Sequence, residues 1–218
     1  PIHDIGVTLH IYNRYRNIRK PYTTSKVTNF KNNHTMQLIK DMEFGGERPL
    51  FGSHDLHLDH VTVRAGESAI KECSNIIATN CRFEGNYPFW HVHGFVIDRC
   101  FFDVGGRSAL WYSDHLKMTD TRIDAPKMFR EMTDIEIENV EINDADEVFW
   151  RCNRLDIKNL KLHDGRYPFM FSRNIRIDGL ESDSKYVFQY VKDVEIHHAR
   201  ITTCLLYTSP SPRDMRRS

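Results

Sequence analysis

The sequence predicts an all-β fold: a single-stranded, right-handed parallel β-helix of about eight coils, each ~20 residues long and built from three short strands. Three observations lead there. A pattern of apolar and polar residues in alternation restarts at Leu56, Ile76, Phe95, Leu116, Ile135, Leu155, Ile175 and Val194, at intervals of 19 to 21 residues. Aligned on those restarts, the apolar residues fall into columns. One column, six residues before each restart, is almost wholly large and apolar: Leu50, Ile70, Phe89, Leu110, Phe129, Phe149, Phe169 and Phe188. Stacked parallel strands are ~4.8 Å apart, so such a column is a continuous core that no single repeat could bury alone. The right-handed sense follows from the crossover rule for parallel strands.

The stretch from Ile135 to Arg154 shows the logic of one coil. Ile135 and Ile137 alternate with Glu136 and Glu138, and Val140 and Ile142 flank Glu141. Period-two alternation puts the four apolar side chains on one buried face and the carboxylates in water. Asn139 lies between the two runs, and asparagine tolerates left-handed backbone, so it suits a sharp corner. A polar turn over 143–146 then leads to Val148-Phe149-Trp150, and the pattern restarts at Leu155. The inward positions repeat in every coil. The first reads Leu56, Ile76, Phe95, Leu116, Ile135, Leu155, Ile175, Val194, and the third reads Val61, Cys81, Cys100, Thr121, Val140, Leu160, Leu180, Ala199. A leucine-rich repeat is the nearest rival, but its Asn/Cys ladder and leucine spacing are missing.

Taken in order, the chain divides into three parts. Residues 1–35 carry Arg14, Arg16, Arg19, Lys20, Lys26 and Lys31 against one acid, Asp4, and lack the repeat. Two readings apply: a basic arm for nucleic acid or another acidic surface, or upstream sequence read in frame, with the start at Met36, the first methionine. The second is adopted, and with it the expectation that 1–35 is disordered. Residues 36–203 are the β-helix. Met42 and Phe44 fit the second strand of an incomplete first coil, Gly45-Gly46 its turn and Leu50-Phe51 its third strand. Residues 204–218 (CLLYTSPSPRDMRRS) abandon the repeat and resemble a translated transposon-end sequencing adapter. This tail is expected to be disordered, and the β-helix to be truncated at its C-terminus.

Composition narrows the function. Of the 30 Lys/Arg and 30 Asp/Glu, the first segment holds six bases and one acid and the tail three bases and one acid. The body therefore has 21 bases and 28 acids, a net charge of −7. An acidic body without a basic stripe argues against nucleic acid as a partner. No signal-peptide pattern occurs and no apolar run approaches ~18 residues, so the expectation is a cytoplasmic chain with no membrane partner. Cys73, Cys81, Cys100 and Cys152 match no zinc spacing and sit in or near inward columns; they are read as buried thiols, with no metal and no cofactor.

The segments GGERPLFGSHDLHLDHVTVRAGESAIKECSNI, YPFWHVHG and GGRSALWYSDHL resemble the bacterial family called domain of unknown function 3737. The resemblance runs over 36–203 and implies a right-handed parallel β-helix of the pectin-lyase-like kind. It implies no activity, so no catalytic residue is carried over.

The candidate site follows the Phe column. One residue on, the column reads Phe51, Lys71, Trp90, Trp111, Arg130, Trp150, Met170, Gln189; the next reads Gly52, Glu72, His91, Tyr112, Glu131, Arg151, Phe171, Tyr190. If the Phe column points in, Trp90 and Trp111 form an aromatic strip, with Arg130 between Trp111 and Trp150. Indole faces stack on the C–H faces of sugars. His91, His93, Tyr112, Asp114, His115, Glu147 and Arg151 surround the strip as hydrogen-bonding groups. The same pattern also fits a purely structural ladder with Arg130 held by cation–π contacts. For catalysis, glycosidases need two carboxyls ~5 to 9.5 Å apart; Asp114 and Glu131, one coil apart, are the closest spaced pair. No column of Asp makes a calcium cage. Asp59, Asp98, Glu138 and Asp178, which share a column with Thr79, Thr119 and Lys158, read as a solvated face. Lys117, Glu136, Asp156, Arg176 and Glu195 read as a stabilising charge ladder. Two functions remain open: a non-catalytic binding or scaffold β-helix for a carbohydrate, or a carbohydrate-active enzyme, lyase or hydrolase, working along the Trp90/Trp111 face.

Overall fold

The computed structural model describes residues 9–11 and 35–202. The remainder of the 1–35 segment, residue 203 and the adapter-like tail 204–218 lie outside the described residues, and with them the expectations of disorder.

Fourteen strands make one sheet system, and no helix occurs among the described residues. The stack runs β14-β13-β12-β11-β10-β8-β6-β4-β2, each neighbour pair parallel. In the C-terminal half the strands are ten residues long: β10 (Asp114–Ile123), β11 (Thr133–Ile142), β12 (Asn153–Leu162), β13 (Arg173–Ser182) and β14 (Lys192–Ile201). In the N-terminal half the corresponding runs are split: β2 (Gln37–Lys40) and β3 (Glu43–Glu47), β4 (His54–Asp59) and β5 (Thr62–Glu67), β6 (Ser74–Thr79) and β7 (Arg82–Phe83), β8 (His93–Asp98) and β9 (Phe101–Phe102). The short β1 (Leu9–Ile11) pairs antiparallel with β14 over Val194–Ile196.

The register confirms the columns. Leu56 pairs with Ile76, Ile76 with Phe95, Phe95 with Leu116, and so on through Ile135, Leu155, Ile175 and Val194. The Phe column is the spine: Phe129 and Phe149 stack at 4.4 Å between ring centroids, Phe149 and Phe169 at 4.8 Å, Phe169 and Phe188 at 5.4 Å. Phe89, Phe129, Phe149 and Phe169 are fully buried. A separate aromatic step, Phe83 on Phe102 at 4.8 Å, fills the split coils.

Two expectations need revision. The third side of each coil is not a strand. Its residues are turns, joined to the next coil by backbone hydrogen bonds such as Phe149 N–H to the Met128 carbonyl (3.0 Å) and by isolated bridges such as Trp111 with Arg130. The cause is local: Glu147, Phe149 and Arg151 all have positive φ (54°, 56°, 56°), so alternate residues are left-handed and extension is impossible. Elsewhere left-handed corners recur at five-residue steps, as at Arg154, Asn159, Asp164, Phe169 and Asn174. In the first coil, Gly45-Gly46 is not a turn. Both lie inside β3, where the register with β5 shifts between Phe44 and Gly46 as a β-bulge. The extra residue lies on β5, where Arg64 and Ala65 stand opposite Gly45 alone.

The corner at Asn139 is left-handed as the sequence predicts (φ 55°). It belongs to a side-chain ladder: Asn159 Nδ2 donates to Asn139 Oδ1 at 3.0 Å, and Asn139 Nδ2 donates to Asp120 Oδ1 at 3.0 Å. Cys73, Cys81, Cys100 and Cys152 are buried and free. Burial pushes the Cys152 thiol up to about 12.

Candidate functional site

The strip beside the Phe column forms as the sequence predicts, but as a closed stack. Trp90 and Trp111 lie face to face, centroids 5.0 Å apart and planes 13° from parallel. Lys71 Nζ caps the outer face of this pair, 5.4 Å from the Trp90 centroid. The Arg130 guanidinium follows, 4.4 Å from Trp111 and 5.3 Å from Trp150. Each indole N–H is already used: Trp90 Nε1 donates to the Ser108 carbonyl (2.6 Å) and Trp111 Nε1 to the Lys127 carbonyl (2.7 Å). Arg130 Nη2 donates to Glu147 Oε2 at 2.7 Å, while its Nε is buried without a partner. Each cation–π contact contributes about 0.5 to 2 kcal/mol, depending on desolvation. The indole faces and N–H groups thus serve the ladder, and Trp90, Trp111 and Trp150 are only half-exposed.

The next column is the one that faces out. Val191, Ser172, Cys152, Met132, Ser113 and Val92 are buried, so the residues on either side of them point to solvent together. Two adjacent outward columns result. The first is Glu72, His91, Tyr112, Glu131, Arg151, Phe171, Tyr190, whose backbone N–H groups bond in turn to the next coil, as from Tyr112 to the Arg130 carbonyl (2.9 Å) and from Phe171 to the Gln189 carbonyl (3.3 Å). The second is His54, Ser74, His93, Asp114, Thr133, Asn153, Arg173, Lys192, registered pair by pair.

The face changes character along its length. Toward the N-terminal end His91 stacks on Tyr112 (5.2 Å, 22°), and Tyr112 meets the edges of Trp90 and Trp111. Beside them Asp114 accepts from His93 Nδ1 and His115 Nδ1, both at 2.7 Å. Partial burial raises the Asp114 carboxyl, but the hydrogen bonds from His115 and His93 outweigh it and hold the group below the usual range. His115 Nε2 reaches toward Asp134 (3.6 Å), which Arg154 grips with two nitrogens at 2.5 and 2.6 Å. Toward the C-terminal end Phe171 stacks on Tyr190 (5.2 Å, 13°), Trp150 meets Phe171 edge-on (5.6 Å), and Arg151 lies 5.7 Å from the Phe171 ring.

Asp114 and Glu131 stand one coil apart in neighbouring columns. Asp114 registers with Thr133, and its carboxylate is shared by two histidines. Glu131 lies one residue past Arg130, in the neighbouring column, and pairs with Arg151 at 3.8 Å. Glu147, expected at the rim, is the counter-ion of Arg130 inside the ladder.

Sequence reasoning missed a second place. A shallow cleft of about 470 Å³ opens at another corner, lined by Lys127, Asp144, Asp146, Asp164, Arg166 and Asp183 among others. Burial raises the Asp144 carboxyl above its usual range, and the like charges of Asp146 and Asp164 add to the shift. Asp146 pairs with Arg166 at 3.4 Å. Gly165 forms the floor with φ +82°; a Cβ there would lie 2.4 Å from the Ala145 carbonyl carbon. The signal in the sequence was the recurrence of Asp at consecutive polar turns, which resembles ordinary turn chemistry. No group of three or more His, Cys, Asp or Glu side chains able to hold a metal occurs among the described residues. None of their helices is long and apolar enough to cross a membrane, since there are none.

A comparison with curated proteins finds no match. Residues 37–206 match the family described as "Protein of unknown function (DUF3737)", and this span contains every coil from β2 to β14. The chain is a member of the DUF3737 family.

Proposed function

We propose that this chain is a non-catalytic binding or scaffold solenoid whose ligand is an extended carbohydrate lying along the stack. One observation carries the reading. Aromatic side chains of one outward column are left open to solvent: Tyr112 is 38% exposed, Phe171, three coils on, 41%, and Tyr190, on the coil after that, 64%. A coil rises ~4.8 Å, close to the length of one hexopyranose unit, so each ring along a glycan meets an equivalent position of the next coil. Exposed aromatic rings pack against the C–H faces of sugars, and the second ring nitrogens of His93 and His115, with His91 and Arg151, supply hydrogen bonds to hydroxyls around Asp114. Trp90, Trp111 and Trp150 support this surface from behind, as a rigid backing. The carboxyls of Asp114 and Glu131 are occupied by histidines and by Arg151, which favours binding over hydrolysis. The net charge of −7 over 36–203 favours no nucleic-acid partner, and no membrane association or export is part of the proposal, which places the chain in the cytoplasm.

Affinity electrophoresis of the full chain through gels containing soluble polysaccharides tests it. The parent is expected to be retarded and Tyr112→Ala to be retarded less. Absence of retardation across neutral and acidic polymers removes the proposal. An enzymatic reading is favoured by one feature, the cleft at Asp144, whose carboxyl burial shifts upward, the direction that suits a general acid. Release of reducing ends that is lost in Asp144→Asn would establish that reading instead.

A further inference from the structure

Charges facing one another on neighbouring strands of β12 to β14 are opposite in sign almost everywhere. Asp156 registers with Arg176, and Arg176 with Glu195; Lys158 registers with Asp178; Lys161 registers with Glu181, and Glu181 with Arg200. The exception is Arg173, which registers with Lys192. Like charges directly opposite one another destabilise a sheet. Other like-charged neighbours have a counter-charge beside them: Glu136 and Asp156 are each flanked by a base, Lys117 and Arg176, Glu47 in the Glu47–Glu67 pair meets Arg48, and Arg166 in the Arg166–Lys185 bridge meets Asp146. Arg173 and Lys192 have no such relief. The preceding members of their column are the neutral Asn153 and Thr133. Neither base forms an ion pair among the described residues, although Asp193 follows Lys192 directly.

These two bases stand beside the most exposed aromatic pair. Phe171 and Arg173 lie either side of buried Ser172, and Tyr190 and Lys192 either side of buried Val191; all four side chains are exposed, and the two bases follow the two rings by two residues on the same two coils. Arg151, one coil earlier, adds a third cation over the Phe171 ring. The patch offers two stacked rings flush with uncompensated positive charge, on a body that is otherwise acidic.

We infer that the Phe171–Tyr190/Arg173–Lys192 patch is an anion-binding subsite, and that the glycan bound along this face carries acidic groups, carboxylate or sulfate. The inference rests on the carbohydrate reading above and specifies the ligand's charge. A sugar ring packs against Tyr190 and the exposed edge of Phe171, and an acidic substituent on that ring or the next meets the guanidinium and ammonium at the coil spacing. A planar guanidinium takes a carboxylate or sulfate through two parallel hydrogen bonds, and the anion removes the repulsion between the two bases.

The test is a glycan array carrying neutral, carboxylated and sulfated polymers, probed with the full chain, followed by affinity electrophoresis in carboxymethylcellulose and in neutral hydroxyethylcellulose. Acidic polymers are expected to bind more tightly than neutral ones. The double variant Arg173→Glu/Lys192→Glu is expected to lose about tenfold or more in affinity for them, and Phe171→Ala/Tyr190→Ala to weaken binding as well. All four side chains are exposed, and near-ultraviolet circular dichroism checks that the fold is retained. Equal binding of neutral and acidic polymers, unchanged by the charge reversal, overturns the anionic subsite and leaves the carbohydrate reading standing. No binding to any glycan overturns both. Equal retardation by single-stranded DNA, lost in the same double variant, overturns the sugar specificity in favour of a general polyanion site.

Discussion

Phe149→Ala measures whether the stacked spine holds the solenoid together. Phe149 is fully buried and covered on both faces, by Phe129 at 4.4 Å and Phe169 at 4.8 Å. Truncating a buried Phe to Ala costs about 3 to 5 kcal/mol through lost burial and the cavity left behind. Each lost ring–ring contact adds about 0.5 to 1.5 kcal/mol beyond area, and two are lost here, so the upper end of the range applies. In a solenoid each coil touches only its neighbours, so the change weakens two interfaces at once. For a body of this size 1 kcal/mol moves Tm by about 2 to 4 °C, which gives a fall of roughly 10 to 20 °C. Guanidinium titration followed by circular dichroism, with calorimetry, is the assay. Phe188→Ala is the internal comparison: Phe188 is only partly buried and stacks on a single ring, Phe169 at 5.4 Å, so its loss should cost clearly less. Phe171→Ala, on the exposed face, should cost about 1 kcal/mol or less. If all three variants lose the same stability, or Phe149→Ala loses under about 1 kcal/mol, the ring column is not what couples the coils.

Four further outcomes follow from the geometry. Gly165→Ala should destabilise by about 1 to 3 kcal/mol, because the position combines φ +82° with a Cβ placed 2.4 Å from the backbone of Ala145; a denaturation curve unchanged from the parent would contradict that packing. Asp144→Asn should raise Tm at pH 7 and not at pH 3: the folded carboxyl titrates above its ordinary 3.8, so ionisation costs stability only as pH rises through the folded value, and below 3.8 both side chains are neutral. Asp114 and Asp134 have the opposite sign, their folded carboxyls lying below 3.8, so their contribution is present above pH 3.8 and is lost as pH falls further; acid titration of Asp114→Asn should show a flatter loss of stability below pH 4 than the parent. In native protein the thiols of Cys73, Cys81, Cys100 and Cys152 should resist Ellman's reagent for hours and react at once in guanidinium, since all four are buried.

The core was legible in the sequence because it depends on one-dimensional facts. Alternation fixes which side of the chain is buried, and the 19–21-residue interval fixes which buried residues meet, so Leu56 to Val194 and Leu50 to Phe188 could be aligned without coordinates. The Trp90–Trp111 stack and the Arg130 sandwich were legible for the same reason: equivalent positions on successive coils must touch. Backbone conformation on the third side was not. Val148-Phe149-Trp150 reads as strand by composition, yet left-handed backbone at Glu147, Phe149 and Arg151 turns it into a tight bend. The side chains still reach the core, so hydrophobic pattern alone cannot separate the two conformations. The columns of Asp114 and Glu131 were legible only by counting residues. The two are 17 residues apart where the local register needs 19, Asp114 opposite Thr133, and that shortfall of two moves Glu131 into the next column.

The separation of core from surface also says where function can reside. A buried column must stay apolar along the whole stack, because each ring is the floor of the next coil. An outward column is under no such demand: a side chain there can change without disturbing the register that holds the backbone. The two columns beside the tryptophan ladder use that freedom unevenly. Their first half is histidine and aspartate locked in mutual hydrogen bonds, His93 and His115 on Asp114. Their second half is aromatic and basic, with Arg173 opposite Lys192 and two rings open beside them. Stabilising the sheet would favour an acid at either position, as it does at Asp156, Glu181 and Glu195 in the columns alongside. A like-charged pair kept on the flank of exposed rings gives up cross-strand attraction that every other charged pair between β12, β13 and β14 retains, and a bound anion is the partner that restores it.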